Sequence, residues 1–150
     1  MKKLSHLALG LALTLCIGIG VSMSPVHAAT PNYSSAISGV TMIPLHISGQ
    51  YTATTTAVTR FAMPFPCKLI GVGASARASG GTSPTLTVSV KEGASSVLSS
   101  AISVTAGAYS EGTISDTAIA DESAITVDLT IGGTSPTWND ITVLLICVRM

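Results

Sequence analysis

The sequence predicts an all-β fold: a single antiparallel β-sandwich, jelly-roll-like, with about eight strands. Three observations carry that expectation. Apolar residues alternate with serine and threonine in short runs, and no stretch beyond residue 28 repeats with a 3.6-residue period. Turn residues punctuate those runs about every 8–12 positions. One hexapeptide, Gly80-Gly81-Thr82-Ser83-Pro84-Thr85, returns unchanged as Gly132-Gly133-Thr134-Ser135-Pro136-Thr137, each copy just before a strand-like run. Paired glycines permit positive φ, and proline fixes its own φ without offering a donor. Each copy therefore reads as a loop that aims the strand after it, the two being equivalent loops of the sandwich.

Composition supports a folded β-protein. Of the 150 residues, 47% are hydrophobic and 9% charged, with a formal net charge of zero. A typical soluble chain is roughly 25% charged, and a disordered one lacks this apolar content. Polarity comes mostly from hydroxyl side chains, which suit pleated, half-solvated surfaces. With no basic stripe, a nucleic-acid groove is not expected.

The N-terminus reads as a secretory signal over residues 1–28. Lys2 and Lys3 form the basic start, Leu7 to Val21 the apolar core, and Val26-His27-Ala28 the small-residue cleavage site. The apolar core is short for a bilayer span, so no stable membrane span is expected after cleavage. Residues 29–39 form a polar, flexible leader. Residues 40–150 form the sandwich domain.

The strands follow in order. Val40 to Ile47 is the first, and Pro44 makes it an edge strand or a bulged one. Gly49-Gln50 turns the chain into a threonine-rich strand within Tyr51 to Met63, which Pro64 and Pro66 end. Cys67 to Ala78 is the third strand, with Ile70, Val72, Ala74 and Ala76 sharing one face and Cys67 and Leu69 the other. After the first hexapeptide, Leu86, Val88 and Val90 point one way and Thr87, Ser89 and Lys91 the other. Glu92-Gly93-Ala94-Ser95 is a hairpin turn. Val97 to Thr105 and a weaker Tyr109 to Ser115 are strands, and Asp116 to Ser123 is a polar loop. In Ala124 to Ile131, strict alternation places Ile125, Val127, Leu129 and Ile131 inward. Ile141 to Val148 is nearly all apolar, as expected for a central strand covered on both faces, whether by its own fold or by a neighbouring subunit.

The inventory of chemical groups is thin, and no enzyme activity or cofactor is expected. His46 is the only histidine after residue 28, and no acidic cluster accompanies it, which argues against a histidine metal site. No nucleophile elbow surrounds any serine. Gly80-Gly81-Thr82-Ser83 lacks the lysine of a phosphate-cradling loop. Asp121-Glu122 and Asn139-Asp140 read as solvated loops rather than calcium ligands. Cys67 and Cys147 are a candidate disulfide, worth about 4–5 kcal/mol at most by chain entropy, or else two buried thiols. Trp138 and Tyr109 are the candidate ligand contacts, although the Trp138 ring reads first as a cap on one end of the core and only second as a stacking platform.

From Arg60 to Arg149 the chain resembles small jelly-roll or sandwich modules of tailed-phage virion proteins, those that serve as decoration, head-fibre or tail-associated parts. The resemblance rests on Phe61-Ala62-Met63-Pro64-Phe65-Pro66-Cys67-Lys68-Leu69-Ile70-Gly71-Val72 and on the alternating strand with its Lys91-Glu92-Gly93 turn. It rests also on Ile119-Ala120-Asp121-Glu122-Ser123-Ala124-Ile125-Thr126-Val127 before the final strand. It implies a non-enzymatic structural protein at a virion surface, assembling as a homo-oligomer through its β-surfaces and with capsid or other virion proteins as partners. The signal segment implies the alternative, an exported cell-surface or secreted module that adheres to a glycan or a protein.

Overall fold

The structure, a computed structural model, describes residues 39–150. The expected signal segment 1–28, and all of the leader but Gly39, lie outside the described residues. Eight strands follow: β1 (Val40–Tyr51), β2 (Thr55–Ala62), β3 (Cys67–Glu92), β4 (Ser95–Ser96), β5 (Ile102–Val104), β6 (Tyr109–Glu111), β7 (Ala118–Ile119) and β8 (Ala124–Arg149). The fold is all-β and its strand pairings are antiparallel.

Two strands of 26 residues each, β3 and β8, form the spine. They pair from Cys67 opposite Arg149 to Glu92 opposite Ile125. A straight strand of that length runs about 86 Å. A domain of this size has a radius of gyration near 13 Å, so the pair must bend. It folds over at its middle: Leu69 and Leu145 from one end of the pair line the same interior gap as Val90 and Ile125 from the other. One layer holds β1, the C-terminal half of β8, the N-terminal half of β3, and β6. The other holds β2, the remaining halves of β8 and β3, and β5. The core lies between them and includes Val72, Val88, Val127 and Val143.

The bend is made by the duplicated hexapeptide, and here the structure corrects the expectation of two separate loops. The copies lie inside β3 and β8 and pair with each other. Gly80 faces Thr137, Thr82 faces Thr134, and Thr85 faces Gly132, with register shifts on both sides of Thr82. Each copy meets its twin head to tail, so a local two-fold axis passes near Thr82 and Thr134. Backbone angles follow the same symmetry: φ is +98° at Gly81 and +112° at Gly133, and +48° at Ser83 and +49° at Ser135. A Cβ at Gly133 would lie 2.7 Å from the carbonyl oxygen of Ser83, and one at Gly81 would strike the carbonyl oxygen of Ser135. Only glycine admits both that φ and that approach.

The bend joins what the sequence divides. The expected strands Cys67 to Ala78 and Leu86 to Lys91 are one strand, as are Ala124 to Ile131 and Ile141 to Val148. The expected strand Val97 to Thr105 shortens to β5, and Tyr109 to Ser115 shortens to β6. The polar loop Asp116 to Ser123 contains β7, which pairs with Cys67 and Lys68 and buries Ile119. A register shift between Leu69 and Gly71 reverses the expected faces there. Cys67 and Leu69 join Val72, Ala74 and Ala76 in the core, while Ile70 is 50% exposed. An extra residue in one strand turns every later side chain to the opposite face, so strict alternation misassigns Ile70. Pro44 lies on β1, which among the described residues is an edge strand paired only with β8.

The crossing predicts an asymmetry between glycines. Gly133→Ala is expected to cost at least about 3 kcal/mol, because strain and a backbone collision add. Gly93→Ala has a positive φ of +58° but open space around its Cβ, and is expected to cost about 1 kcal/mol. Urea unfolding of the two variants checks this, and equal losses would show that the hexapeptides tolerate separation.

Candidate functional site

The site is built on the outer face of the layer that contains β1. Along β1 the side chains of Ile43, Leu45 and Ile47 turn toward the core, leaving Val40, Met42, Pro44 and His46 outward. On β8, Val143, Leu145 and Cys147 are buried, and the intervening Thr142, Leu144, Ile146 and Val148 are half-buried on the outer side. Strand register sets these residues in rows. Met42 lies beside Ile146, which lies beside Gly71. His46 lies beside Thr142, which lies beside Ser75, which lies beside Tyr109. The two rows are four residues apart along β1, about 13 Å.

The face therefore has two ends of different chemistry. At the Met42 end, Val40, Met42, Ile70, Leu144, Ile146 and Val148 make an apolar field. Met42 is 64% exposed, Ile70 50% and Val40 40%. At the His46 end lies an open cleft of about 520 Å³, lined by His46, Ser75, Arg77, Tyr109, Asp140 and Thr142.

The cleft is held by specific bonds. His46 Nδ1 lies 3.0 Å from the Thr142 hydroxyl. Arg77 donates from Nε to Asp140 Oδ2 at 2.6 Å, and Asp140 Oδ1 accepts the backbone N–H of Gly49 at 3.1 Å. Asp140 sits at a bulge, with a φ of +47°. Those bonds hold its carboxyl below the usual range, the Gly49 N–H contributing most and the Arg77 guanidinium next. Tyr109 lies over Gly73, where a Cβ would collide with the phenol. Glycine thus supplies the space in which the ring rests, and the ring remains half exposed. Partial burial raises the phenol's pKa, with Glu111 adding to it.

A second aspartate on β8 repeats the arrangement away from the cleft. Asp128 Oδ1 accepts the backbone N–H of Ala57 at 2.7 Å, at the bulge of β2 where φ is +48°. Its other oxygen pairs with Lys91 at 2.6 Å. Its pKa is lowered first by the Ala57 bond and then by Lys91.

The other residues singled out in the sequence lie elsewhere. Trp138 is 2% exposed and packs into the core beside the crossing, opposite Tyr51 and Ser79, so its ring offers no face to a ligand. Its Nε1 is buried with no hydrogen-bond partner among the described residues. Cys67 and Cys147 are both buried free thiols on the inner face of neighbouring strands. Because Cys147 stands opposite Leu69 and Cys67 opposite Arg149, the two are diagonal neighbours. Burial, and then the contact with Cys67, pushes the Cys147 thiol up to about 12. Asp121 accepts the N–H of Glu122 and closes its own turn. Among the described residues, no group of three histidine, cysteine or acidic side chains is placed to hold a metal ion. His46, Arg77 and Asp140 were not legible as a site, because nothing in the sequence shows that β1, β3 and β8 bring them together.

Comparisons of the chain with protein-family models, with curated proteins and with solved structures found no match. Fold and face together define a class: an all-β sandwich protein whose distinctive surface is one exposed sheet face.

Acid stability follows from the two aspartates. A carboxyl whose folded pKa is depressed contributes stability that is present above its unfolded value near pH 4 and is lost as pH falls through the folded value. The urea midpoint is therefore expected to fall as pH drops from 5 to 2.5, and to fall less in an Asp128→Asn, Asp140→Asn double variant. A parent midpoint flat across that range would contradict the assignment. The thiols make a separate prediction. At pH 8 the folded chain from Ala29 onward, which lacks Cys16, is expected to resist iodoacetamide and to take two labels once unfolded in guanidinium. Absence of label in the unfolded chain without reductant would show a Cys67–Cys147 bridge instead.

Proposed function

We propose that this chain is a non-enzymatic structural protein that acts in multiple copies, as in the virion decoration and fibre modules it resembles. The observation that supports this most is the apolar field around Met42. Monomeric surfaces rarely gather such side chains into one region without a use. Met42 and Ile146 sit among apolar side chains, with the exposed Lys68 opposite Val148 and Glu111 beside Ile70 and Ile146 at the margin, and the whole chain, 9% charged, carries few charges to repel a second copy.

The contact reaches beyond the field. Four strands at about 4.8 Å spacing and some 20 Å of strand length give about 400 Å² of sheet plane. A stable pair buries about 800 Å² per partner. Among the described residues the outer edge of β1 has no strand partner, and it adjoins the field, so the contact takes in that edge as well. The partners in this reading are copies of the same chain and other virion proteins. A second reading, an exported adhesion module, draws support from the cleft at the other end of the face.

Light scattering at tens of micromolar on the chain from Ala29 onward tests the proposal. A homo-oligomer is expected. A Met42→Glu, Ile146→Glu variant is expected to be monomeric and still cooperatively folded, with some loss of melting temperature because Ile146 is half-buried beside Gly71. A monomeric parent, or an oligomer indifferent to both charges, would overturn this role for the face.

A further inference from the structure

We propose that the cleft between His46 and Tyr109 binds a carbohydrate: one pyranose ring stacked on Tyr109, with an acceptor substituent, a carboxylate or an acetamido carbonyl, turned toward Arg77. The cleft is centred on the His46 row, about 13 Å along β1 from the Met42 row, and because Tyr109 also borders Ile70 and Ile146 the test reads assembly separately.

Four features carry it. The first is the platform. Tyr109 rests on Gly73, which has no side chain of its own, and the ring is 50% exposed. A ring already seated in this way loses little conformational freedom when a ligand covers its open side. The C–H face of a sugar is the complement of such a ring. The second is shape. The cleft is open and about 520 Å³, within the size range of small-molecule sites, and a sheet face admits one unit of a longer chain from the side.

The third feature is the set of hydrogen-bonding groups. Both carboxylate oxygens of Asp140 are engaged, one by the Gly49 N–H and the other by Arg77 Nε. The aspartate therefore holds the guanidinium in place, and the terminal nitrogens of Arg77, whose side chain is 71% exposed, are left for a ligand. The Nε2 edge of His46, which meets Thr142 through Nδ1, and Ser75 add to this rim. The rim supplies more donors than acceptors, which favours a sugar bearing carboxylate or acetamido oxygen over a plain hexose. The fourth is local construction. The Gly107 N–H donates to the Ala76 carbonyl at 2.8 Å, tying the segment before Tyr109 to β3. The platform and the guanidinium are thus fixed to one strand, with Ser75 directly opposite Tyr109.

The test is an NMR titration of the ¹⁵N-labelled chain with glucuronic acid, N-acetylglucosamine and glucose, read at the amides of Ser75, Arg77 and Tyr109. Saturable shifts are expected with the first two, and weaker ones with glucose. Tyr109→Leu keeps Gly73 covered but removes the ring, and is expected to weaken binding at least about threefold, whereas Tyr109→Phe stays close to the parent. Arg77→Gln is expected to abolish the preference for glucuronic acid over glucose, and added salt to weaken glucuronic acid alone. Light scattering on Tyr109→Leu should match the parent, which separates failure of this site from failure of assembly. Shifts that do not saturate with any of the three sugars would overturn the proposal. So would equal binding by the parent and Tyr109→Leu.

Discussion

The meeting of the two hexapeptides at the end of the sandwich is the constraint on which the rest of the structure depends. Two strands of 26 residues cannot run straight in a domain this small, and they turn over together or not at all. They turn where Gly81 and Gly133 let each backbone come within contact of the other's carbonyl oxygens. Because the copies are identical and antiparallel, each supplies to its twin what it receives: a glycine at positive φ, a serine at positive φ, and a threonine facing a glycine. The bend then brings Leu69 and Leu145 against Val90 and Ile125, and the core forms between two halves of the same pair.

The edge strands depend on β8 in a second way. Asp128 and Asp140 each take a backbone N–H from a neighbouring edge strand at a bulge, and each is held by a cation on β3. A bulge leaves a donor without a ladder partner, and a carboxylate is a strong acceptor for it. The charged pairs are partly exposed, so their worth as ion pairs is small. Their geometric effect is larger: they set where β1 and β2 leave regular pairing, and so which side chains of β1 reach the outer face.

That face divides its chemistry along the strands. Val40 and Met42 lie over an apolar stretch of β8, while His46, two pleats further along β1, lies over Thr142 and toward Arg77 and Tyr109. One sheet surface thus carries an apolar end and a hydrogen-bonding end. The division explains why Ile141 to Val148 is so apolar. One set of side chains fills the core, and the other lies half-buried on the outer face.

Much of the fold was legible in the residues themselves. Alternation in Ile125, Val127 and Leu129 is a local property of a pleated strand, and it marks the core side with no knowledge of partners. Pro44 points to an edge because proline lacks a donor wherever it sits. The repeated hexapeptide shows by its glycines that two places need unusual backbone. That those places are one place, each copy completing the other, is a relation between distant segments, and only the tertiary structure decides it. The same holds for Ile70, which a bulge turns outward, and for Trp138, which pairing with Tyr51 and Ser79 turns inward. The cleft belongs wholly to the second class. His46, Arg77, Tyr109 and Asp140 are isolated residues in the chain, and a site appears only when antiparallel register lays four strands side by side. Local sequence sets backbone preference and facing within a strand, whereas which strands become neighbours is settled by the burial and pairing of the whole chain.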